Sequence, residues 1–74
     1  MEELVLYGTA GCHLCETAME MLAARGIHPR IVDISEQEHL FEKYRLSIPV
    51  LARPDALELG WPFDPAMIEE FLER

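Results

Sequence analysis

The chain has 74 residues, with six basic and fourteen acidic side chains and a formal net charge of −8. This balance argues against nucleic-acid binding and against anionic membrane surfaces, because both depend on clusters of Lys and Arg. The length suits one small domain covering residues 1–74, and we expect a monomer.

The first three residues, Met-Glu-Glu, lack the basic and apolar regions of a signal peptide. No apolar run approaches the roughly 20 residues that a membrane-spanning helix needs. We therefore expect a cytoplasmic protein, in which thiols are normally reduced and a pair of nearby cysteines is more often catalytic or metal-binding than structural.

The first predicted strand is the continuously apolar run 4–7, as expected for a central strand covered on both faces. Residues 12–15, Cys-His-Leu-Cys, follow it and open a helix whose apolar side chains recur at helical spacing: Cys15, Ala18, Met19 and Leu22. Gly26 is a suitable C-terminal stop for this helix. Residues 30–34 predict a second strand, parallel to the first because a helix connects them.

Ser35 and Glu38 have the spacing of a capping box, with Ser35 as N-cap and Glu38 at the third helical position. The short helix that follows offers three side chains to the core: Leu40, Phe41 and Tyr44. Residues 49–52 predict a third strand, and the Arg-Pro-Asp sequence at 53–55 predicts a type I turn.

The turn leads into a fourth, antiparallel strand over residues 56–59. Asp64 and Pro65 mark the start of the last helix, with an acidic N-cap followed by Pro at the first helical position. The predicted buried face of this helix comprises Met67, Ile68, Phe71 and Leu72. The element order is βαβαββα, an α/β fold with a four-stranded mixed sheet flanked by three helices. A βαβ unit with a CxxC at its first helix is typical of the thioredoxin-like fold.

Two cysteines at positions i and i+3 of a helix start are close enough to form a disulfide. Cys12 is nearer the helix N-terminus, where unpaired N–H groups and a partial positive charge favour a thiolate, which is the nucleophile in disulfide exchange. Glu16 opposes this effect, and the exposed His13 can tune it, so we expect modest activation. Cys15 points along the apolar face and is the predicted resolving thiol. This chemistry needs no bound cofactor.

Three alternatives remain open. The cysteines can be two inert helix thiols, or vestigial or regulatory groups on a module that binds a partner protein. A zinc site within the chain is not expected, because only His13, His28 and His39 could complete it and none has paired spacing. An iron–sulfur cluster shared across a dimer is the third alternative.

The chain resembles the glutaredoxin-like branch of the thioredoxin superfamily, and in particular its small bacterial members. The resemblance is carried by residues 11–15 (GCHLC) and 47–50 (SIPV). It implies a thiol–disulfide oxidoreductase acting on a disulfide-containing protein, with glutathione as a candidate co-substrate. It also implies that the Ile48–Pro49 peptide bond is cis and that Ile48 contacts an extended substrate beside Pro49.

The chain departs from the family pattern in three places. His13 and Leu14 stand where dithiol glutaredoxins usually carry Pro-Tyr. Thr9 and Ala10 stand where a cation for glutathione is often found. Residues 59–64 (LGWPFD) replace a Gly-Gly turn followed by an acid.

Glutathione carries two carboxylates and an amine. Lys43 and Arg45 are the candidate carboxylate partners, with surface solvation as their alternative role. Asp64 is the candidate amine partner, in competition with its predicted N-cap role. Trp61 either lines a groove above the cysteines or closes one end of the core.

Overall fold

The computed structural model describes residues 3–74; Met1 and Glu2, on which part of the expectation about the N-terminus rests, lie outside the described residues. Within this range the strands are β1 (Val5–Gly8), β2 (Arg30–Asp33), β3 (Val50–Ala52) and β4 (Glu58–Gly60). The helices are α1 (His13–Ala24), α2 (Glu38–Tyr44) and α3 (Pro65–Glu73), with a short 3-10 helix at Ile34–Glu36. No helix in residues 3–74 is long and apolar enough to cross a membrane.

The strands form one mixed sheet in the order β2-β1-β3-β4. β1 pairs in parallel with β2, which places Leu6 opposite Ile31. It pairs antiparallel with β3 on its other side, where Leu6 lies opposite Leu51, and β3 pairs antiparallel with β4. The predicted βαβαββα order and the four-stranded mixed sheet with three helices are therefore confirmed.

Alternating side chains of β1 divide the core between the two faces of the sheet, as the two-residue period of a strand requires. Leu6 belongs to the larger cluster, which α1 and α3 complete: Leu6, Ala18, Leu22, Leu51, Phe63, Ile68 and Phe71. Tyr7 points to the opposite face and packs against Ile34, Tyr44 and Val50. Helices α1 and α3 thus cover one face of the sheet, and α2 covers the other.

The start of α3 is as predicted. The carboxylate of Asp64 accepts a hydrogen bond from the backbone N–H of Met67 at 2.8 Å, and Pro65 occupies the first helical position. Pro is well suited there because its missing N–H would have no partner within the helix.

The predicted capping box before α2 is wrong. Ser35 lies in the 3-10 helix, where its backbone N–H donates to Asp33 Oδ1 at 2.9 Å and its hydroxyl donates to the same oxygen at 2.7 Å. Helix α2 begins three residues later at Glu38, after Gln37, whose side chain makes no capping hydrogen bond. Asp33 competes successfully for the Ser35 groups, because Asp side chains readily bond the backbone N–H two residues on.

All four predicted strands have displaced bounds: β3 begins at Val50 rather than residue 49, and β4 ends at Gly60 rather than residue 59. β1 begins and ends one residue later than expected, and β2 ends at Asp33 because Ile34 enters the 3-10 helix. β4 begins at Glu58 rather than residue 56, because the turn is longer: the Ala56 N–H donates to the Arg53 carbonyl at 3.0 Å, and Ala56 has a φ of 75°.

Met19, Phe41 and Met67 were expected to be buried, but they are 37%, 42% and 40% exposed. On α1, the Arg25–Glu69 ion pair shows which side α3 covers, and Met21 rather than Met19 packs there against the larger cluster. Phe41 and Met67 lie beside the buried residues of their helices, which are Tyr44 in α2 and Ile68 and Phe71 in α3.

Candidate active site

Cys12 forms the N-cap of α1. Its Sγ accepts a hydrogen bond from the backbone N–H of Cys15 at 3.2 Å, and its carbonyl accepts the N–H of Glu16 at 3.1 Å. Cys12 is half-buried. A sulfur at this position receives an N–H that has no partner within the helix.

Cys15 lies one helical turn further on and is only 6% exposed. Burial, followed by the interaction with the Cys12 thiol, raises the pKa of Cys15 to about 11, against a smaller opposing effect of the Thr9 backbone. Both cysteines are free thiols in the structure. Two thiols one turn apart therefore have different environments, one at the helix end and one in the interior.

Gly8 makes the burial of Cys15 possible. A Cβ at this position would lie 2.7 Å from the Cys15 Sγ and 3.3 Å from its Cβ, closer than real atoms approach. Gly11 has a different role: its φ of 76° is in the left-handed region, which turns the chain from β1 into α1 at little cost for Gly.

The sheet register brings the Ile48–Pro49 segment to the same end of the sheet as the cysteines. Tyr7 lies opposite Val50, so Pro49 comes next to Gly8, which is in contact with Cys15. The Ile48–Pro49 peptide bond is cis, as is Trp61–Pro62. Pro49 is fully buried and Ile48 half-buried.

Tyr44 holds this segment in place from the α2 side. Its carbonyl accepts the N–H groups of Ser47 at 2.8 Å and Ile48 at 3.1 Å. Its ring stacks on Tyr7 with centroids 4.5 Å apart, and its hydroxyl donates to the Glu58 carboxylate on β4. Burial, followed by this hydrogen bond, raises the pKa of Tyr44 well above its usual value.

Sequence reasoning missed both Gly8 and Tyr44 as residues that shape the site. The Gly8 contact depends on how β1 meets α1, and Tyr44 and Glu58 are 14 positions apart with no periodic pattern linking them. A glycine at the last strand position before a CxxC is the one local signal that pointed to a close approach.

The remaining predicted site residues are exposed or are engaged by other groups. His13 is exposed at the first position of α1, and its carbonyl accepts the Thr17 hydroxyl at 3.1 Å. Lys43 holds its ammonium 5.1 Å from the centre of the Tyr44 ring, and Arg45 is exposed at the end of α2. The Asp64 carboxylate is engaged as the cap of α3.

Trp61 follows the sheet edge beside the cis segment, where its N–H donates to the Pro49 carbonyl at 3.0 Å. It is half-buried against the larger core cluster and meets Phe63 edge-on at 5.0 Å between ring centroids. Of the two roles considered for Trp61, these contacts correspond to closing the core.

Residues 3–74 contain no group of three or more His, Cys, Asp or Glu side chains arranged to hold a metal ion. A groove of about 620 Å³ lies at the opposite end of the sheet from the cysteines, lined in part by Leu4, Ile27 and Arg53. It shares no residue with the site described above.

Solved structures with similar folds include protein XcR50 from X. campestris, whose crystal structure is 41% identical in sequence, with 95% of each chain covered and a TM-score of 0.88. Protein Ne2328 from Nitrosomonas europaea is 30% identical, with 95% of this chain and 89% of that chain covered and a TM-score of 0.80. A glutaredoxin from Archaeoglobus fulgidus, at 22% identity, covers 100% of this chain and 89% of its own, with a TM-score of 0.71.

The likeness to the Archaeoglobus protein shows the thioredoxin-like fold. No curated protein matches the chain. The model of the glutaredoxin-like domain (DUF836) matches residues 3–73, nearly the full length. This chain therefore belongs to the glutaredoxin-like domain family.

Proposed function

We propose that this protein is a thiol–disulfide oxidoreductase in which Cys12 attacks and Cys15 resolves. The observation that carries the proposal is the hydrogen bond from the Cys15 N–H to the Cys12 Sγ at the start of α1. It supplies a donor for negative charge on the more accessible of the two sulfurs. The redox-type function expected of a glutaredoxin-like fold supports the same conclusion.

The reaction begins when the Cys12 thiol gives its proton to water. The thiolate attacks one sulfur of a substrate disulfide, a Cys12–substrate disulfide forms, and the other substrate sulfur leaves as a thiolate and takes up a proton. Cys15 then loses its proton and attacks the Cys12 sulfur, which releases the second substrate thiol. The substrate gains two electrons and the protein retains a Cys12–Cys15 disulfide, which an external dithiol or glutathione reduces.

The environment of Cys15 makes its attack the slower step near neutral pH. With a pKa of about 11, only about one in ten thousand Cys15 thiols is ionised near pH 7. Burial is the main cause of this shift, and the Cys12 thiol, which the mixed disulfide no longer carries, is the next. Because burial disfavours the Cys15 thiolate, resolution of the mixed disulfide should speed up as the pH rises.

A neutral small disulfide, 2-hydroxyethyl disulfide, tests the two roles with matched variants. The reduced wild-type protein should release two thiols per chain. Cys15→Ser should release one and retain a stable adduct on Cys12, whereas Cys12→Ser should react far more slowly because Cys15 is buried. Mass spectrometry identifies the modified residue. If Cys12→Ser reacts as fast as Cys15→Ser, or if the wild type forms no disulfide, the proposal is wrong.

Ile48 is the proposed contact for the substrate backbone beside Cys12, with Pro49 shaping the same surface. Support comes from the register of β1 and β3, which puts this segment next to Gly8. An arrested Cys15→Ser adduct with a cysteine-containing peptide would test this proposal, because the peptide should protect the Ile48 amide from hydrogen exchange. Unchanged exchange at Ile48 would remove it from the site.

A further inference from the structure

Four of the six cations of this chain lie away from the two cysteines. Arg30 lies opposite Val5, at the end of the sheet remote from Gly8, and Arg53 directly follows Ala52, which is also opposite Val5. Arg25 follows the last turn of α1, where it pairs with Glu69, and Arg74 follows the end of α3. We call this end of the sheet the far end, and the end with Gly8 and Pro49 the thiol end.

Acidic groups are found at the thiol end. Asp33 lies opposite Gly8 in the β1–β2 register. Asp64 begins α3, whose later residue Phe71 accepts a hydrogen bond from Arg53 at the far end, so the helix starts at the thiol end. Both carboxylates are already bonded to backbone N–H groups of their own turns.

Glu16 is the acid in the first turn of the helix that carries both cysteines. Its N–H donates to the Cys12 carbonyl, and its side chain is exposed. Its charge contributes to the raised pKa of Cys15, after the larger effects of burial and the Cys12 thiol. Among residues 3–74 its carboxylate makes no ion pair, so its charge acts on whatever approaches.

The two remaining cations lie nearer the thiol end, because Lys43 and Arg45 flank Tyr44, whose carbonyl accepts the Ile48 N–H. α1 has no Lys or Arg within its bounds. Lys43 and Arg45 belong to α2 and its C-cap, and α2 covers the other face of the sheet. The Lys43 ammonium is held over the Tyr44 ring.

We propose that Glu16 makes the Cys12 site selective for disulfides that carry positive charge over those that carry negative charge. This proposal rests on the thiol–disulfide activity proposed above, in which the electron and proton balance is unchanged. It names the substrate class as disulfides flanked by ammonium or guanidinium groups, such as protein disulfides beside Lys or Arg. Oxidised glutathione, which is net negative, belongs to the disfavoured class.

The physical basis is the attraction between opposite charges, which enriches cationic substrates near an acidic surface. At a separation of about 7 Å in water, one pair of unit charges changes a local concentration about threefold. The effect should weaken from low to high salt, because the Debye length falls from about 30 Å at 0.01 M to about 3 Å at 1 M.

Three small disulfides of similar size separate charge from reactivity: cystamine with two ammonium groups, neutral 2-hydroxyethyl disulfide, and 3,3′-dithiodipropionate with two carboxylates. Rate constants for oxidation of the reduced protein are divided by those of free 2-mercaptoethanol with the same disulfides. At low salt, the corrected cystamine rate should exceed the corrected dithiodipropionate rate by about tenfold, with the neutral compound between them. At high salt the three rates should converge.

Glu16→Gln should reduce the cystamine-to-dithiodipropionate ratio about threefold or more. The neutral disulfide reports any change in the intrinsic reactivity of Cys12, which cancels in the ratio. Glu73→Gln, which removes the same charge at the far end of α3, is the matched control and should leave the ratio nearly unchanged.

The outcomes distinguish the two proposals. If the neutral disulfide does not oxidise the protein, the thiol–disulfide activity itself is contradicted. If it does, but the corrected ratio is one or lower, or Glu16→Gln changes the ratio no more than Glu73→Gln, charge selection by Glu16 is overturned. A salt-sensitive ratio that falls in Glu16→Gln alone supports it.

Discussion

At the scale of single residues, the site depends on the contrast between two identical side chains one turn apart. Cys12 caps the helix and accepts an N–H, whereas Cys15 is buried against Gly8 and has a pKa of about 11. The proposed division of roles between an attacking and a resolving thiol rests on this contrast. Changes that expose Cys15 should therefore affect the chemistry even where Cys12 is untouched.

Gly8→Ala should expose and activate Cys15. The added methyl group would lie 2.7 Å from the sulfur on a rigid strand, so the sulfur must move. We expect a loss of about 1–3 kcal/mol in the free energy of unfolding, as for other overpacked cores, together with faster alkylation of Cys15. Urea unfolding and alkylation in a Cys12→Ser background measure the two effects.

Gly11→Ala is the matched control for this substitution. It should cost about 1 kcal/mol because Ala is strained at positive φ, but its Cβ would meet no atom within 4 Å. Cys15 alkylation should therefore stay near that of the Cys12→Ser parent. Equal alkylation of Cys15 in the Gly8 and Gly11 variants would contradict the role assigned to Gly8.

The stability of the reduced protein should depend on the protonation of Cys15. The folded-state pKa of about 11 lies above the ordinary value of 9.0, so the folded state binds this proton more tightly than the unfolded state. The contribution is complete below pH 9 and is lost as the pH rises through 11. The loss should be about 1–3 kcal/mol.

Comparison of wild type with Cys15→Ala isolates this contribution from that of Tyr44, whose raised pKa acts in the same direction. Urea midpoints in the presence of a reductant at about pH 8 and about pH 11 give the pH-dependent loss for each protein. The loss should be smaller in Cys15→Ala, and identical losses would show that the Cys15 proton is not coupled to folding.

At the scale of secondary-structure elements, a capping motif predicted the start of a helix correctly where no nearby group competed for its hydrogen bonds. Asp64 and Pro65 predicted the start of α3 correctly, because the cap bonds an N–H only three residues on. The Ser35–Glu38 capping box had an equally good spacing but was wrong, because Asp33 binds the Ser35 groups first. A short motif is thus predictive only when its polar groups have no closer partner.

Contacts between elements were harder to predict from the sequence. Tyr44 joins α2 to β1 by stacking on Tyr7 and to β4 through Glu58, and no spacing rule connects these positions. Helical periodicity did not show which of Met19 and Met21 packs against the core, because the side of α1 that α3 covers is set by the whole fold.

Asp64→Ala should destabilise the protein by about 0.5–2 kcal/mol through loss of the α3 cap, whereas Asp64→Ser should retain most of the stability. Both variants should oxidise with 2-hydroxyethyl disulfide at near wild-type rates, because the carboxylate caps a helix rather than meeting this substrate. Thermal unfolding and the oxidation rate measure the two effects. Equal destabilisation by Ala and Ser would argue against capping as the role of Asp64.

At the scale of the whole molecule, the sequence predicted the topology and the paired thiols, because periodicity and the CxxC are local patterns. The family resemblance already implied that Pro49 lies beside the thiols, but the sequence did not predict that Asp33 would lie opposite Gly8 at the same end of the sheet, since this depends on the strand order. The separation of Arg30 and Arg53 from Glu16 along the sheet likewise emerges only from the register.

The most direct test of the account is equilibration of the whole protein with glutathione redox buffers, followed by acid trapping and counting of free thiols. The account predicts one transition in which the two free thiols disappear together, at a position independent of protein concentration and reversed by dithiothreitol. Loss of one thiol without the other, or a disulfide that forms only between two chains, would contradict the claim that Cys12 and Cys15 act as one redox pair.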